Sequence, residues 1–175
     1  MSATSTNISL TATPAGTTRR LSREVVLRFA LVAVAVGICY LFEWRWLRAL
    51  TLQLNTLLDG LVGVHLQRVS FDTVEWRGAI YKYRIACTFA DVWCGAIPLL
   101  WNLRRSVLRN VSYVLVIGAA MIVFNVVRLS FSDVLFARGL SWDLAHNVVS
   151  GISYYLVWIW IWQTRTWALD RSDSK

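Results

Sequence analysis

Cysteine is scarce in this chain, which has 3 cysteines in 175 residues and no Cys-x-x-Cys pair. An odd, widely spaced set of thiols indicates neither a disulfide framework nor a zinc site, and we expect no metal and no other cofactor. Acidic residues are also few, with 10 Asp and Glu against 18 Lys and Arg, so the formal net charge is +8. Most basic residues flank apolar runs, which favours a role in membrane topology over nucleic-acid binding.

Apolar residues, by contrast, are abundant: 57% of the chain is hydrophobic, and it contains 10 Trp. A soluble domain is nearer half apolar and much poorer in Trp. The apolar residues come in long runs, which predicts a polytopic membrane protein. We expect an all-α membrane fold with four transmembrane helices, an outer amphipathic helix and a short β-hairpin.

Four apolar runs are candidate spans. They cover about residues 25–43, 85–101, 111–131 and 144–162. Arginines cluster before the first run and directly after the second, so the positive-inside rule predicts that both termini are cytoplasmic. We expect the protein in the cytoplasmic (inner) membrane. We therefore expect a disordered N-terminus (1–18), one integral membrane domain (19–167) and a short cytoplasmic tail (168–175).

The segment 44–84 is expected outside the membrane, in two parts. Residues 47–63 are apolar at helical spacing with polar interruptions, which predicts an amphipathic helix at the outer surface or against the bundle. The interrupting residues are Arg48, Gln53, Asn55 and Asp59. Residues 64–84 mix aromatic and β-branched side chains with charged ones, and Gly78 provides a turn, which predicts a β-hairpin.

Three reactive residues interrupt the apolar runs at one depth. Cys87 opens the second span from outside, Arg128 lies near the outer end of the third, and His146 opens the fourth. At about 1.5 Å per residue, all three lie within a turn or two of the outer interface and can converge. Polar groups at membrane depth are costly and are therefore candidates for function. If 85–95 is one helix, Asp91 and Cys94 share a face with Cys87.

Each of these groups has a use in acyl transfer. A thiolate is a nucleophile that a neighbouring His or Arg favours, and His can protonate a leaving amine. Arg keeps its proton and suits an electrostatic clamp on an oxyanion or a carboxylate. Asp143 precedes His146 by three residues and can orient it. Asp91 or Asp133 can instead pair with Arg128. Singly, each group also has a structural explanation, as a small apolar thiol, a snorkelling arginine or a helix cap.

The ordered set resembles the exosortase/archaeosortase family of membrane transpeptidase-like cysteine proteases. The family pattern is a Cys at the outer start of a span, usually as A-C-[ST]-G, then N-x-x-R near the outer end of the next span, then a His or Arg opening the last. The matching stretches here are A-C-T at 86–88, N-V-V-R at 125–128 and H-N-V-V-S-G at 146–151. The resemblance covers roughly residues 45–165.

This resemblance implies a protease that cleaves the C-terminal sorting tails of exported, membrane-anchored proteins at the outer face of the membrane, through a thioester. Cys87 would be the nucleophile, Arg128 the substrate or oxyanion clamp, and His146 the acid/base, with Asn125 in support. The expected partners are those protein substrates and the lipid bilayer, with no nucleic acid.

The chain departs from the family pattern at two places. Phe89 stands where the family usually has Gly, and C-G recurs at Cys94 and Gly95. On a continuous helix Cys94 would lie about 10 Å deeper than Cys87, away from the other reactive groups, which favours Cys87 as the nucleophile. Two other interpretations are a non-catalytic assembly or lipid-interacting subunit and a four-span thiol oxidoreductase, which needs paired thiols.

Overall fold

The computed structural model describes residues 15–76 and 78–170; residues 1–14 and 171–175, which hold most of the predicted tails, lie outside it. The described elements are α1 (Ala15–Cys39), α2 (Arg45–Leu61), β1 (Gln67–Arg68), β2 (Thr73–Trp76), β3 (Ala79–Lys82), α3 (Ala90–Leu100), α4 (Val107–Ala137) and α5 (Val149–Asp170). A 3-10 turn precedes α3, here called the Cys87 turn (Ile85–Thr88), and a π-helical turn precedes α5, here called the His146 turn (Asp143–Val148). The prediction of a mostly helical fold with a small β element is confirmed.

Within the described residues, two helices are long and apolar enough to cross a membrane, Val107–Ala137 and Asp143–Thr164. They contain the predicted third and fourth spans. The apolar parts of the first two predicted spans, Val25–Cys39 and Ala90–Leu100, are shorter than the ~20 residues that a full crossing takes. Helix length therefore does not support four transmembrane helices.

The predicted second span, 85–101, is not one continuous helix. Its first residues form the Cys87 turn, and Phe89 then adopts the left-handed conformation with φ of 57° before α3 begins. A positive φ at a residue other than Gly breaks helical geometry. The expectation that Cys87, Asp91 and Cys94 share one helical face is therefore wrong.

Helix α3 lies between α1 and α5. α1 runs antiparallel to it, and at the far end Arg28 Nη1 donates a hydrogen bond to the backbone oxygen of Pro98 (3.3 Å). A Cβ atom at Gly95 would lie 2.9 Å from Val36 Cγ2, so this glycine lets α1 and α3 approach closely. Apolar side chains fill the core between α3, α4 and α5, namely Phe89, Val92, Ala96, Leu99, Ile117, Met121 and Ile161.

Helix α2 confirms the predicted amphipathic helix, and polar as well as apolar side chains of it face the protein. Thr51, Asn55 and Asp59, spaced four residues apart, are fully buried against α4. Leu57 and Leu61, on the opposite side, are exposed. Leu47 and Leu52 are buried on the same helix, so the buried face is mixed, whereas a helix packed on a water-soluble core buries a mainly apolar stripe and exposes polar residues. The leucine side therefore suits an apolar environment, and the polar side needs polar partners on α4.

The sheet is antiparallel in the order β1-β2-β3, and it confirms the predicted hairpin with a two-residue third strand added. β2 and β3 are joined at Gly78, whose φ of 79° suits the turn. Arg48 ties α2 to the end of the sheet. Its Nε donates to the backbone oxygen of Tyr83 (2.8 Å), and its Nη2 contacts the Asp72 carboxylate.

The Asp72 carboxylate is nearly buried, with 4% of its side chain exposed. Burial alone would raise its pKa, but the Thr73 hydroxyl and the Arg48 guanidinium together lower the pKa of the carboxyl below its ordinary value. A lowered folded-state pKa stabilises the fold above the ordinary carboxyl pKa of about 4, and this contribution is lost as the pH falls through the folded pKa.

We expect Asp72→Asn to destabilise the fold by about 3 kcal/mol at neutral pH, because the half-buried Arg48 cation then lacks its anion. Unfolding in detergent micelles measures the effect. The matched control is Glu43→Gln, which breaks a solvent-exposed ion pair with Arg45 and should change stability by less than ~0.5 kcal/mol. Equal stability of the two variants would show that the Arg48–Asp72 pair contributes little.

Candidate active site

Three parts of the chain meet at one end of the helix bundle: the Cys87 turn, the C-terminal part of α4 and the His146 turn. A pocket of about 370 Å³ opens there beneath the sheet. Its wall includes Cys87, Asp133, Trp142 and His146. The predicted nucleophile and the predicted acid/base, 59 residues apart in the sequence, therefore line the same cavity.

Asn125 and Arg128 hold the Cys87 turn from α4. Asn125 Nδ2 donates to the backbone oxygen of Cys87 (2.7 Å). Asn125 Oδ1 in turn accepts hydrogen bonds from Arg128 Nη2 (2.8 Å) and Nε (3.2 Å). Arg128 Nη1 donates to the Ser150 hydroxyl on α5. One chain of hydrogen bonds thus connects the thiol-bearing turn, α4 and α5.

Arg128 is a buried cation, with 4% of its surface exposed. Among residues 15–76 and 78–170, no carboxylate forms an ion pair with it, so it does not pair directly with Asp91 or Asp133. Both carboxyl groups and the Cys87 thiol nevertheless lie within electrostatic range of the guanidinium. Its carbon Cζ also lies 4.8 Å from the centre of the Phe89 ring, a cation–π contact.

Phe89 keeps the Cys87 turn in an unusual conformation. A positive φ strains a residue that carries a Cβ atom, so the surrounding structure must hold it in place. The Phe89 ring is 1% exposed and packs edge-to-face on Tyr154 at 4.7 Å between ring centres. Burial of this ring under Arg128 therefore fixes the backbone next to the thiol.

His146 is oriented by stacking rather than by a carboxylate. Its ring lies parallel to that of Trp142, at 4.8 Å between centres. Its Nδ1 is buried and has no hydrogen-bond partner among the described residues. Asp143, predicted to orient His146, is exposed to solvent and does not bond to this nitrogen. Arg128 lies within electrostatic range of the imidazole.

Asp91 supports the Cys87 turn from the side away from the pocket. Tyr40 on the loop after α1 donates a hydrogen bond to Asp91 Oδ2 (3.0 Å). The Tyr154 hydroxyl lies 2.9 Å from the backbone oxygen of Ala86 and 3.3 Å from both Asp91 oxygens. Tyr154, which the sequence did not single out, thus links α5, the turn and the start of α3.

Cys94 lies apart from this site. It packs with Cys39, Leu47 and Ala90 in a small apolar cluster between α1, α2 and α3. It does not line the pocket, whereas Cys87 does. The structure thus brings together Cys39 and Cys94, and it separates Cys87 from both of the other thiols.

Sequence reasoning also missed a buried polar cluster beside the pocket. It consists of Asn55, Asp59, Tyr83, Ser130 and Asp133, and we call it the polar cluster. Asn55 Nδ2 lies 2.7 Å from Asp59 Oδ2, 2.8 Å from Asp133 Oδ2 and 2.9 Å from the Tyr83 hydroxyl. The Ser130 hydroxyl donates to Asp59 Oδ1. The available signal was the spacing of Thr51, Asn55 and Asp59, which marks one polar helix face.

The two carboxyl groups of the polar cluster lie close together in the protein interior. Burial raises the pKa of Asp59 above its ordinary value, against the opposing effect of the Ser130 hydrogen bond. Neighbouring buried carboxyls carry less charge when they share a proton. A raised folded-state pKa stabilises the fold at low pH, and this contribution is lost as the pH rises through the folded pKa.

Comparison of the chain with protein-family models, with curated proteins and with solved structures found no match. The fold and the site define a helical protein with two helices able to cross a membrane and a thiol, a guanidinium and an imidazole gathered at one end.

Asn125→Ala is expected to destabilise the fold by about 2 kcal/mol, because the Cys87 backbone oxygen loses its donor and the buried Arg128 guanidinium keeps only its bond to Ser150. Hydrogen exchange should also become faster in residues 84–89. Thermal unfolding and exchange mass spectrometry measure the two effects. The control Asn147→Ala removes an exposed amide from the His146 turn. Unchanged exchange in 84–89 would show that Asn125 does not hold the Cys87 turn.

Asp59→Asn should remove a pH dependence of stability. The amide of the new Asn always has a hydrogen to donate to Asp133, whereas Asp59 and Asp133 can hydrogen-bond only while they share a proton. As the pH rises above the ordinary carboxyl pKa of about 4, wild-type stability should fall relative to that of the variant, because the shared proton is lost. Unfolding curves over this range test the idea. Parallel pH profiles of the two proteins would mean that the carboxyls do not share a proton.

Proposed function

We propose that this protein is a membrane-embedded cysteine protease or transpeptidase of the exosortase type. It cleaves the C-terminal sorting tails of exported, membrane-anchored proteins at the outer face of the membrane, through a thioester on Cys87. The observation that carries the proposal is the pocket of about 370 Å³ whose wall includes both Cys87 and His146. A nucleophile and a base in one concave site are the minimum that such chemistry needs.

The reaction begins with proton transfer from the Cys87 thiol to His146. The sulfur attacks the carbonyl carbon of the tail peptide, a C–S bond forms and the C–N bond breaks. The electrons of that bond go to the leaving nitrogen, which takes the proton from His146 as the tail departs. The remaining thioester is then attacked by an amine or by water, which restores the thiol.

Arg128 acts from behind the Cys87 turn. Its guanidinium is engaged by Asn125 and Ser150 and does not line the pocket. It therefore positions the turn and supplies a positive field beside the reacting carbonyl, where negative charge develops in the transition state. Charge in a dry site acts strongly because little water screens it.

The departure at position 89 has a physical explanation that supports the resemblance. The family usually has Gly after A-C-[ST], and Phe89 adopts a positive φ, a conformation that Gly adopts without strain. Here the burial of the Phe89 ring offsets the strain that Gly would avoid. The same backbone path therefore suits both the family pattern and this chain.

We also propose four membrane crossings with both termini cytoplasmic. Arg109 at the start of α4 and Arg128 near its end lie about 28 Å apart by helical rise, close to the ~30 Å of a hydrocarbon core. The irregular Cys87 turn is compatible with membrane depth because side chains bind its backbone oxygens, with Asn125 on Cys87 and Tyr154 on Ala86. The short helix α3 is enclosed by α1 and α5.

The alternatives make different demands on the thiols. A four-span thiol oxidoreductase needs a thiol pair at a reactive site, whereas the neighbouring thiols, Cys39 and Cys94, lie away from the pocket. A non-catalytic assembly subunit needs no reactive thiol. The proposal alone requires that Cys87 react.

Cys87→Ala in the source cell is expected to leave a set of membrane and surface proteins with intact hydrophobic C-terminal tails, because no thioester can form. Mass spectrometry of C-terminal peptides measures this. Cys87→Ser should act in the same direction, since it preserves size but lowers nucleophilicity. The matched control is Cys94→Ala, which removes a thiol outside the pocket.

If tail processing stops in the Cys94 variant but continues in the Cys87 variant, the nucleophile is Cys94 and not Cys87. Unchanged C-termini in both variants, with both proteins present at normal levels, would contradict catalysis and favour the assembly subunit.

A further inference from the structure

Asp133 places a carboxyl group in the wall of the Cys87 pocket. It lies on α4, one turn beyond Leu129, whose side chain packs in the same apolar cluster as Cys87. Asp133 is 7% exposed. Behind it, Asn55 Nδ2 connects it to Asp59, so a second carboxyl supports the first from the protein interior.

The polar cluster has no cation to balance its negative charge. Its two carboxyl groups hydrogen-bond to the Asn55 amide, to the Ser130 hydroxyl and to each other through a shared proton. The pair then keeps one negative charge, and none of the ion pairs among the described residues involves it. Asn55 Oδ1 is fully buried in the same cluster and has no partner there. A buried acceptor without a donor is unfavourable, so the interior of this cluster is not fully satisfied by the described residues.

The chain's own cations at the pocket do not fill this need. Lys82 is 66% exposed, and its Nζ lies 4.0 Å from Asp72 on the sheet side. Arg84 is also exposed. Arg128 is engaged by Asn125 and Ser150. A cation that enters the pocket would be the first to pair with this negative charge.

We propose that Asp133, backed by Asp59 and Asn55, binds the ammonium group of an alkyl amine in the Cys87 pocket. An ammonium group supplies one positive charge and three donors, and the positive charge is what the carboxyl pair lacks. Tyr81 and Trp142, whose ring centres lie 4.4 Å apart, also line the pocket and offer aromatic faces to a cation. The inference rests on the proposed function. It adds that a group which binds beside the scissile peptide is an alkylammonium group.

An amine bound here can act as the acceptor of the thioester. The Asp133 carboxylate takes one proton from the ammonium group, and the free amine attacks the thioester carbonyl. The C–N bond forms, the C–S bond breaks and its electrons return to the Cys87 sulfur, while His146 takes a second proton from the nitrogen. The new amide keeps the third hydrogen, so protons and charge balance. The same site can instead hold a lysine side chain of the tail, which is also an alkylammonium group.

The first test measures binding of cadaverine, a plain alkylammonium probe, to the full chain in detergent micelles by calorimetry. Asp133→Asn is expected to weaken binding by about 10- to 100-fold, the value of a charge-assisted hydrogen bond. Asp133→Glu, which retains a carboxylate, should bind better than the Asn variant. Glu43→Gln, an exposed change away from the pocket, should bind like wild type. Thermal unfolding confirms that each variant is folded.

A second measurement separates the two sources of the ammonium group. Cys87 is acetylated with p-nitrophenyl acetate, and loss of the acetyl group is followed by intact mass. An acceptor site predicts that cadaverine speeds this loss with saturation, whereas methoxyamine, uncharged at neutral pH, acts equally on wild type and Asp133→Asn. A site for a substrate lysine predicts instead that cadaverine slows acetylation and leaves its loss unchanged.

Equal cadaverine affinity in wild type and Asp133→Asn, or no binding to either, would overturn the inference. The Cys87→Ala variant separates this test from the test of the proposed protease function, because it lacks the thiol but should still bind cadaverine normally. Normal binding together with an unreactive Cys87 would reject the protease proposal while leaving the ammonium site in place.

Discussion

The structure depends on the burial of one cation, Arg128. A guanidinium with 4% exposure and no ion pair within the described chain must be satisfied by hydrogen bonds and by an aromatic face. Asn125 and Ser150 supply the bonds, and Phe89 supplies the face. Because these partners lie on α4, on α5 and beside the Cys87 turn, the three segments cannot move independently. The geometry around the Cys87 thiol therefore depends on how the protein binds the buried Arg128 guanidinium.

A second constraint is the row of polar residues on the buried face of α2. Helix α2 buries Thr51, Asn55 and Asp59 while Leu57 and Leu61 are exposed. In water this orientation would be costly, whereas in an apolar environment a polar face gains by packing on other polar groups. The polar cluster between α2 and α4 is thus part of the packing beside the pocket, and it leaves one carboxyl group, that of Asp133, in the wall that Cys87 also lines.

Regular patterns in the sequence predicted the regular parts of the fold. The apolar runs located α4 and α5, helical spacing located α2, and the aromatic alternation with Gly78 located the hairpin. The break at Phe89 could not be read from the sequence, because no Gly or Pro marks it and its conformation depends on burial against Tyr154. The Asn55–Asp133 contact joins residues 78 apart in the chain, and local periodicity carries no information about such pairs.

Cross-linking tests directly whether Cys87 and His146 face one pocket. In a chain carrying Cys39→Ala, Cys94→Ala and His146→Cys, a short thiol-to-thiol linker should join positions 87 and 146 within one molecule, as detected by intact mass. The comparison chain carries Cys39→Ala, Cys87→Ala and His146→Cys, so that Cys94 is its one remaining native cysteine. A link from position 87 and none from position 94 is the predicted result. No link from 87, or an equal link from 94, would contradict the account.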